Sequence, residues 1–498
     1  MIHRYTPMVL LLAGTVAFAQ GEMKLSLQEA LKTAVERNLD LELQRLDVRV
    51  GNLDVDGARA KFEPQVTAGL STREGRTPAT DSTEGGTNTV ITSTSSSLST
   101  TVGKNEWWGM GWQLSSTTNL NDSNAANSLG ERYNTNLNLR FQQELLKGFG
   151  RDKELLLYDE FVAHANAGIA RTDLEERIIT VLQTAENAYW DLVLAREQLE
   201  VNKASLELAI TFLDQNKTKV EVGTLPPIDL INAETQVAAR EREIVTAENQ
   251  VSAAEDALKK IMNLPVSQWG NTITPTDHIN IEDVQTQFEK DLEIAFENRT
   301  EMRRYDQNMR KAQLAAKLRK DELQPQLTFS GAYGFNGSSL ATPIQQAVIN
   351  TETGLPVRDS RGNIVYETVG ATGTSLRESL SDTLARDKPE WSAGLNLTWN
   401  PFNKQAKINM AKANVDLRRQ ELLVEQTKVA ILEDVRAAVR ELQANKKAIQ
   451  ASEKSVKLSR ENLKAAEQKF QNGLDTNYTV AEKQKDLVQE EKIGRAHV

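Results

Sequence analysis

Residues 174–220 carry an apolar seam that excludes most compact folds. Leu174, Ile178, Val181, Ala185, Ala188, Leu192, Ala195, Leu199, Asn202, Leu206, Ala209, Leu213, Asn216 and Val220 are spaced alternately by four and three positions. A 3.5-residue period keeps one stripe of a helix against its neighbours and winds the helices left-handedly. A helix over 170–222 would be roughly 80 Å long at ~1.5 Å per residue, more than a globular core needs. Val424, Ile431, Val435, Ala438, Leu442, Ile449, Val456, Leu463 and Phe470 form a second seam. Leu230, Ala233, Val237, Ile244, Ala247, Val251, Ala254, Leu258 and Ile261 continue the first on a partner helix. The many alanines suit close packing of several helices side by side. A coiled-coil rod or an adaptor hairpin shares these properties, so other features must decide.

The chain also repeats itself. Leu31, Ala34, Glu36, Pro64, Gln65 and Thr67 recur as Leu292, Ala295, Glu297, Pro325, Gln326 and Thr328, each 261 positions on. Ala188, Leu192, Ser205, Leu208, Leu213, Lys219 and Gly223 recur as Ala438, Leu442, Ser455, Leu458, Leu463, Lys469 and Gly473, each 250 positions on. Each copy reads helix, Pro corner, strands, very long helix, Gly turn, helix. Ser26 and Glu29 form a capping box that opens the first helix, expected to run to about Ala60. Pro64 then forces an extended entry to a strand.

The strands separate a rod from a membrane protein. Tyr133, Thr135, Leu137, Leu139 and Phe141 alternate with Asn134, Asn136, Asn138 and Arg140; Trp391, Ala393, Leu395, Leu397 and Trp399 alternate with Ser392, Gly394, Asn396 and Thr398. Two further stretches, Val66 to Leu70 and Leu327 to Phe335, alternate in the same way. One face is apolar and the other small and polar. From Trp391 to Trp399, as from Tyr133 to Phe141, is about 26 Å of strand, close to the ~25 Å apolar band of a membrane barrel with an aromatic girdle at each rim. Polar segments over 72–132 and 336–390 suit extracellular loops. A weaker hairpin, 94–102 with 110–120 and Trp107, Trp108 and Trp112 near its bend, fits either a pore cap or the barrel wall.

Composition narrows the functions. Arg4, an apolar run over 8–18 and the Ala17, Phe18, Ala19 cleavage pattern predict a signal peptide and a mature chain from Gln20. No other apolar run is long enough for a membrane helix. The net charge of −10 argues against nucleic acid as a partner. With no cysteine, thiol nucleophiles, disulfides and zinc–thiolate sites are excluded. His164 and His278 stand far apart in no metal-ligand spacing, and no phosphate loop or G-x-S-x-G motif occurs. No catalytic, metal or cofactor site is expected, and the chain is not expected to be an enzyme.

The order and duplication of these words resemble the TolC-like outer-membrane efflux and secretion channels. The matching segments are LSLQEALKTAVERNLDLELQ, the corners FEPQV and LQPQL, the exits FQQELLKGFGRDK and WNPFNK, and the turns KVEVGTLPPIDLINAETQ and KFQNGLDTNYTVAEKQ. The resemblance implies an α+β membrane protein built from two tandem repeats. Its homotrimer joins a long α-helical periplasmic barrel to a shared transmembrane β-barrel, with four strands from each protomer. The expected boundaries are a signal peptide over 1–19, a first repeat over 20–265, an equatorial linker over 266–290, a second repeat over 291–492 and a non-native tail over 493–498. In the first repeat, strands are expected near 62–72 and 133–142 and long helices near 150–222 and 227–263. In the second they fall near 326–336 and 390–400, and near 403–471 and 477–492. The last helix is shorter than its first-repeat counterpart, and Gly494 breaks its heptad.

The resemblance also implies the sites. The turns Val222, Gly223, Thr224 and Asn472, Gly473, Leu474 would meet a periplasmic membrane-fusion adaptor, itself coupled to an inner-membrane pump of RND, ABC or MFS type. Asp229 matches an acidic periplasmic constriction. The second copy departs from that pattern, with Thr479 where an acid is often found and Asp475 and Glu482 supplying acidity nearby. Tyr133, Phe141, Trp391 and Trp399 would form the aromatic girdle against outer-membrane lipid. The expected function is a passive conduit for small-molecule efflux in the cell outer membrane, with its helical tunnel in the periplasm. Type I protein secretion is the alternative within channels, and a soluble periplasmic coiled-coil scaffold or adaptor the alternative outside them.

Overall fold

The computed structural model describes residues 21–78, 90–123, 131–148, 152–277, 285–339, 342–372, 375–472 and 474–496. The expected signal peptide, His278, Gly473 and the last two residues of the expected tail lie outside them. In chain order the elements are β1 (Glu22–Leu25), α1 (Leu27–Arg37), α2 (Leu39–Ala60), β2 (Gln65–Pro78), β3 (Val90–Asn105), β4 (Met110–Ser123), β5 (Arg132–Glu144), α3 (Lys153–Leu156), α4 (Tyr158–Glu221), α5 (Pro227–Ile261), β6 (Thr272–Pro275), α6 (Phe288–Asn298), α7 (Thr300–Asp321), β7 (Gln326–Ser338), β8 (Thr342–Ala347), β9 (Tyr366–Thr372), α8 (Leu376–Ala385), β10 (Pro389–Thr398), α9 (Lys404–Gln471) and α10 (Asn477–Ala496). The chain divides into two units. One holds Met1–Val50, Gly168–Asp306 and Leu422–Val498; the other holds Gly51–Ala167 and Gln307–Glu421.

The first unit is helical. The Ser26 hydroxyl accepts from Glu29 N–H at 3.3 Å and the Glu29 carboxylate accepts from Ser26 N–H at 3.2 Å, closing the capping box. The single helix expected to reach Ala60 is two helices. Asn38 leaves the helical conformation (ψ 127°), and its side-chain oxygen accepts from Asp40 and Leu41 N–H, capping α2. Arg299, 261 positions on, breaks the second copy at ψ 130°. None of the fourteen seam residues of α4 is exposed. Val181, Ala185, Ala188, Tyr189 and Leu192 pack with Ala30, Ala34, Leu258 and Ile273 in one core. In α9, by contrast, Ala438 and Leu442 of the seam are exposed.

A short parallel pairing of β1 with β6, which the periodicity does not announce, ties the chain start to the segment after α5. Two buried polar groups hold it. Glu255 accepts from Arg196 at 3.0 Å and from Ile273 N–H at 3.3 Å, beside Lys259. The Tyr189 hydroxyl donates to the Asp277 carboxylate at 2.6 Å and lies 3.1 Å from the Leu25 carbonyl. The same carboxylate accepts from Leu27 N–H at 2.7 Å.

The second unit contains, among the described residues, a six-stranded antiparallel sheet in the order β10-β7-β5-β4-β3-β2. This corrects the four strands per protomer that the resemblance implies. The hairpin whose place was open is β3 and β4, inserted between β2 and β5, and its alternation continues theirs. One cross-strand row runs Val66, Val102, Leu114, Leu139, Tyr333, Trp391 across all six strands. The adjacent row on the other face runs Thr67, Thr101, Ser115, Asn138, Gly334, Glu390. The sheet therefore has one polar face and one mainly apolar face, on which β3 and β4 also carry Ser96, Thr100, Ser116 and Thr118. An open concavity of about 730 Å³ on the polar side is lined by Thr67, Thr101, Gln113, Asn138 and Arg140, among others. Gly331 lies under the Phe141 ring, where a Cβ would overlap it. The polar segment over 336–390, expected as loop, carries the β8–β9 hairpin and α8. Helices of this unit pack closely where Gly51 meets the Ala167 backbone, 3.2 Å from where a Cβ would sit.

Burial, helped by the Asp277 carboxylate, pushes the Tyr189 hydroxyl up to about 12. An acid whose folded pKa is raised stabilises the fold fully below its unfolded value near ~10 and loses that contribution as pH rises toward the folded value. Tyr189→Phe should cost about 1–3 kcal/mol at neutral pH, because Asp277 loses a buried donor. In thermal melts followed by circular dichroism, the advantage of wild type over this variant should shrink between about pH 10 and 12.

Candidate functional site

Two helical hairpins of the first unit end in turns built alike. At the end of α4, Gly223 adopts φ +80°, the left-handed region that a β-branched residue avoids. Its N–H donates to the Val220 carbonyl at 3.0 Å, and Thr224 N–H donates to the Lys219 carbonyl at 2.9 Å. Pro227 then opens α5, where its missing N–H costs nothing. At the end of α9, Leu474 N–H donates to the Lys469 carbonyl at 2.8 Å, 250 positions from the Thr224 bond. Asn472 donates through both its N–H and its side chain to the Gln468 carbonyl. The tips carry bare apolar side chains. Val222 and Ile228 are 68% and 58% exposed, and Leu474 and Tyr478 are 78% and 77% exposed.

The hairpins touch through a junction that sequence reasoning did not single out. Phe212 and Phe470 pack at 5.6 Å between ring centroids, with the Lys219 ammonium 3.7 Å over the Phe470 ring. Leu463, Ala466, Val480 and Leu487 complete this core. Beneath it Asn216 donates to the Asn477 side-chain oxygen at 3.1 Å, and Asn477 donates to the Asp229 carbonyl at 3.3 Å. Asn477 thus clamps the start of α10 to both helices of the other hairpin. The one available signal was Asn216 itself, a polar residue in an apolar seam.

The three acids expected at a constriction have different surroundings. Asp229 sits in the first turn of α5, and the contact to the second hairpin is made by its backbone carbonyl. Asp475 accepts from Thr476 N–H at 2.8 Å. The Thr479 hydroxyl and that N–H hold its carboxyl below the usual carboxylate range. Thr476 in turn accepts from Thr479 N–H and caps α10. Glu482 lies further along α10 on its exposed side. Among the described residues no hydrogen bond or ion pair links these carboxylates within one protomer.

Of the expected girdle, Tyr133, Phe141 and Trp391 lie on the apolar face of the sheet, while Trp399 follows its last paired residue, Thr398. Tyr133 pairs with Leu120, and Trp391 pairs with Tyr333 beside Leu139, so the two do not share a row. His164 belongs to a surface ion cluster with Arg59 and Glu160. Among the described residues no group of His, Cys, Asp and Glu could hold a metal ion, and no helix is long and apolar enough to cross a membrane.

Comparison with known proteins agrees with this architecture. The chain is similar in fold to the channel CusC, with a TM-score of 0.65 and 12% identity over 99% of this chain and 94% of that one. It is similar to the CmeC outer membrane channel of Campylobacter jejuni, with a TM-score of 0.64 and 12% identity over 95% and 82%. The outer membrane protein VceC of Vibrio cholerae gives 0.61 and 13% over 95% and 92%. A 71-residue stretch is 37% identical to the outer membrane efflux protein BepC of Brucella suis biovar 1 (strain 1330), covering 14% of this chain and 16% of that protein. The family model "outer membrane efflux protein" matches residues 113–264 and 292–493. The chain belongs to the outer membrane efflux protein family.

Proposed function

We propose that three copies of this chain form a passive outer-membrane channel for small-molecule efflux, supplied by an inner-membrane pump through a periplasmic adaptor. One observation carries it: a six-stranded sheet with a mainly apolar face, a polar face and two edges, β2 and β10, that among the described residues pair on one side only. Open edges demand partners, and in hydrocarbon a sheet satisfies every backbone group only as a closed barrel. Three protomers of six strands close a barrel of about eighteen strands. The apolar rows meet lipid and the Ser, Thr and Asn rows line water. The family name supports efflux as the task. The exposed side chains at Val222, Ile228, Leu474 and Tyr478 support the tips as the adaptor surface. Asp229, Asp475 and Glu482 would gather around the threefold axis as an acidic gate.

Envelope fractionation and single-particle imaging test the assembly. The protein should sediment with outer membranes as a trimer whose barrel has about eighteen strands. A soluble monomer after export would refute it.

The turns are tested separately. Gly223→Val should lower export by the whole assembly about tenfold or more while leaving membrane insertion intact, because φ > 0 excludes a β-branched residue. Undiminished export by the double variant with Gly473→Val would remove the tips from the docking surface.

The gate is read electrically. Rings of carboxylates favour cations, so the reconstituted closed pore should be cation-selective and blocked by multivalent cations. Asp229→Asn, then Asp475→Asn and Glu482→Gln, should weaken both properties stepwise, and Glu36→Gln should not. Identical reversal potentials for wild type and the triple variant would mean that these acids form no gate.

A further inference from the structure

The apolar face of the sheet is not bare along its whole length. Near the Arg132 end of β5 and the Ser338 end of β7, α8 lies against it. Ser379 and Thr383 form the buried edge of this helix, 0% and 3% exposed. The Ser379 hydroxyl lies 3.0 Å from that of Thr135 and 3.2 Å from the Gly337 carbonyl. The Thr383 hydroxyl lies 3.3 Å from the Thr135 carbonyl. Thr135 and Gly337 are cross-strand partners. They belong to the apolar face, two and four residues along their strands from Leu137 and Tyr333. A Cβ at Gly337 would overlap the Thr383 hydroxyl and the Ser379 carbonyl, so the helix is seated as closely as a backbone allows. Asp382 accepts from Ser338 N–H at 2.9 Å and from the Lys388 ammonium at 2.5 Å. Arg386 ends the helix at φ +62° with its guanidinium 5.9 Å over the Phe335 ring.

The rest of α8 divides into two flanks at about 100° per residue. Leu376, Leu380 and Leu384 occupy the flank beside the buried edge and are 42%, 39% and 68% exposed. Glu378, Ser381 and Asp382 occupy the other, and Arg377 stands at the boundary. A helix with a sheet on one side, leucines on the next and polar groups on the third has the pattern of an element lying in a membrane interface. Its leucine flank adjoins a face that carries exposed Tyr333, Trp391, Leu395 and Leu397. The strand ends under it, at Arg132 and Ser338, are those opposite the ends that lead to and from the helices.

We propose that α8 is an interfacial helix on the outside of the barrel wall, near its external rim, with its leucine flank in the acyl chains of the outer leaflet. Arg377 stands where those chains meet the anionic headgroups. The assignment rests on the apolar face of the sheet being the lipid face. It makes the second extracellular segment part of the membrane anchor, not a plug over the pore.

The absence of cysteine allows single labels. Leu380→Cys, Ser381→Cys, Leu395→Cys and Ser330→Cys, each carrying a small fluorophore, are placed in vesicles containing a nitroxide-bearing lipid or in buffer containing iodide. Lipid nitroxide should quench the labels at 380 and 395 several-fold. Iodide should quench those at 381 and 330. Quenching at 395 by lipid but at 380 by iodide would overturn the proposal and leave the barrel standing. A label at 380 shielded from both, and cross-linking to a neighbouring protomer, would also overturn it, making the flank a subunit contact. Iodide quenching at 395 would remove the lipid-facing wall itself, and the proposal with it.

Discussion

In a hydrocarbon layer a peptide group has no water to bond, and the sheet of this chain is arranged around that constraint. Ladder bonds run through all six strands, so the groups left over are those on the outer sides of β2 and β10. The two faces follow from the same pleat. Each residue that turns an apolar side chain one way sends its neighbour the other, and the row from Val66 to Trp391 and the row from Thr67 to Glu390 are two readings of one backbone. Close approaches then fill the apolar face. Phe141 covers Gly331, and α8 covers Gly337.

The helices obey a different constraint, the 3.5-residue period, and the two long helices use it unequally. The seam of α4 is covered throughout by its own chain, whereas Ala438 and Leu442 of α9 remain open. A seam that needs neighbours and lacks them in one copy is consistent with assembly from several. At the tip the seam ends in polar contacts. Asn216 and Asn477 fix which residues of the two hairpins face each other, the use to which buried polar residues in helical seams are best suited.

Much of this was legible in the sequence because it depends on period alone. The seam from Leu174 to Val220 and the alternation in β5 and β10 need no knowledge of partners. The hairpin of β3 and β4 was harder. Its strands are rich in Ser and Thr, and an alternation of Ser with Thr carries little contrast until Val102, Leu98 and Leu114 are seen to extend rows begun on β2 and β5. The pairing of β1 with β6 was not legible, since four-residue strands give no period. The break at Asn38 was signalled by an Asn, but Asn also occurs within helices, and only the bonds to Asp40 and Leu41 make it a cap. Of the tips, the Gly223 turn could be read from its glycine and following prolines. The Asn477 clamp could not, because it joins residues 261 positions apart.

The place of the additional hairpin has an evolutionary consequence. It enters the sheet between β2 and β5, so the strands at the two edges remain the first and last of the sheet. In the proposed trimer, a gene could therefore gain or lose such a hairpin without redesigning the edges by which copies would join. Perimeter grows in proportion to strand number and cross-section roughly as its square, so two strands per copy on a four-strand plan would about double the open area. Calibre and self-assembly become separately adjustable traits, and a lineage can change the bore of its channel while keeping the seam that closes it.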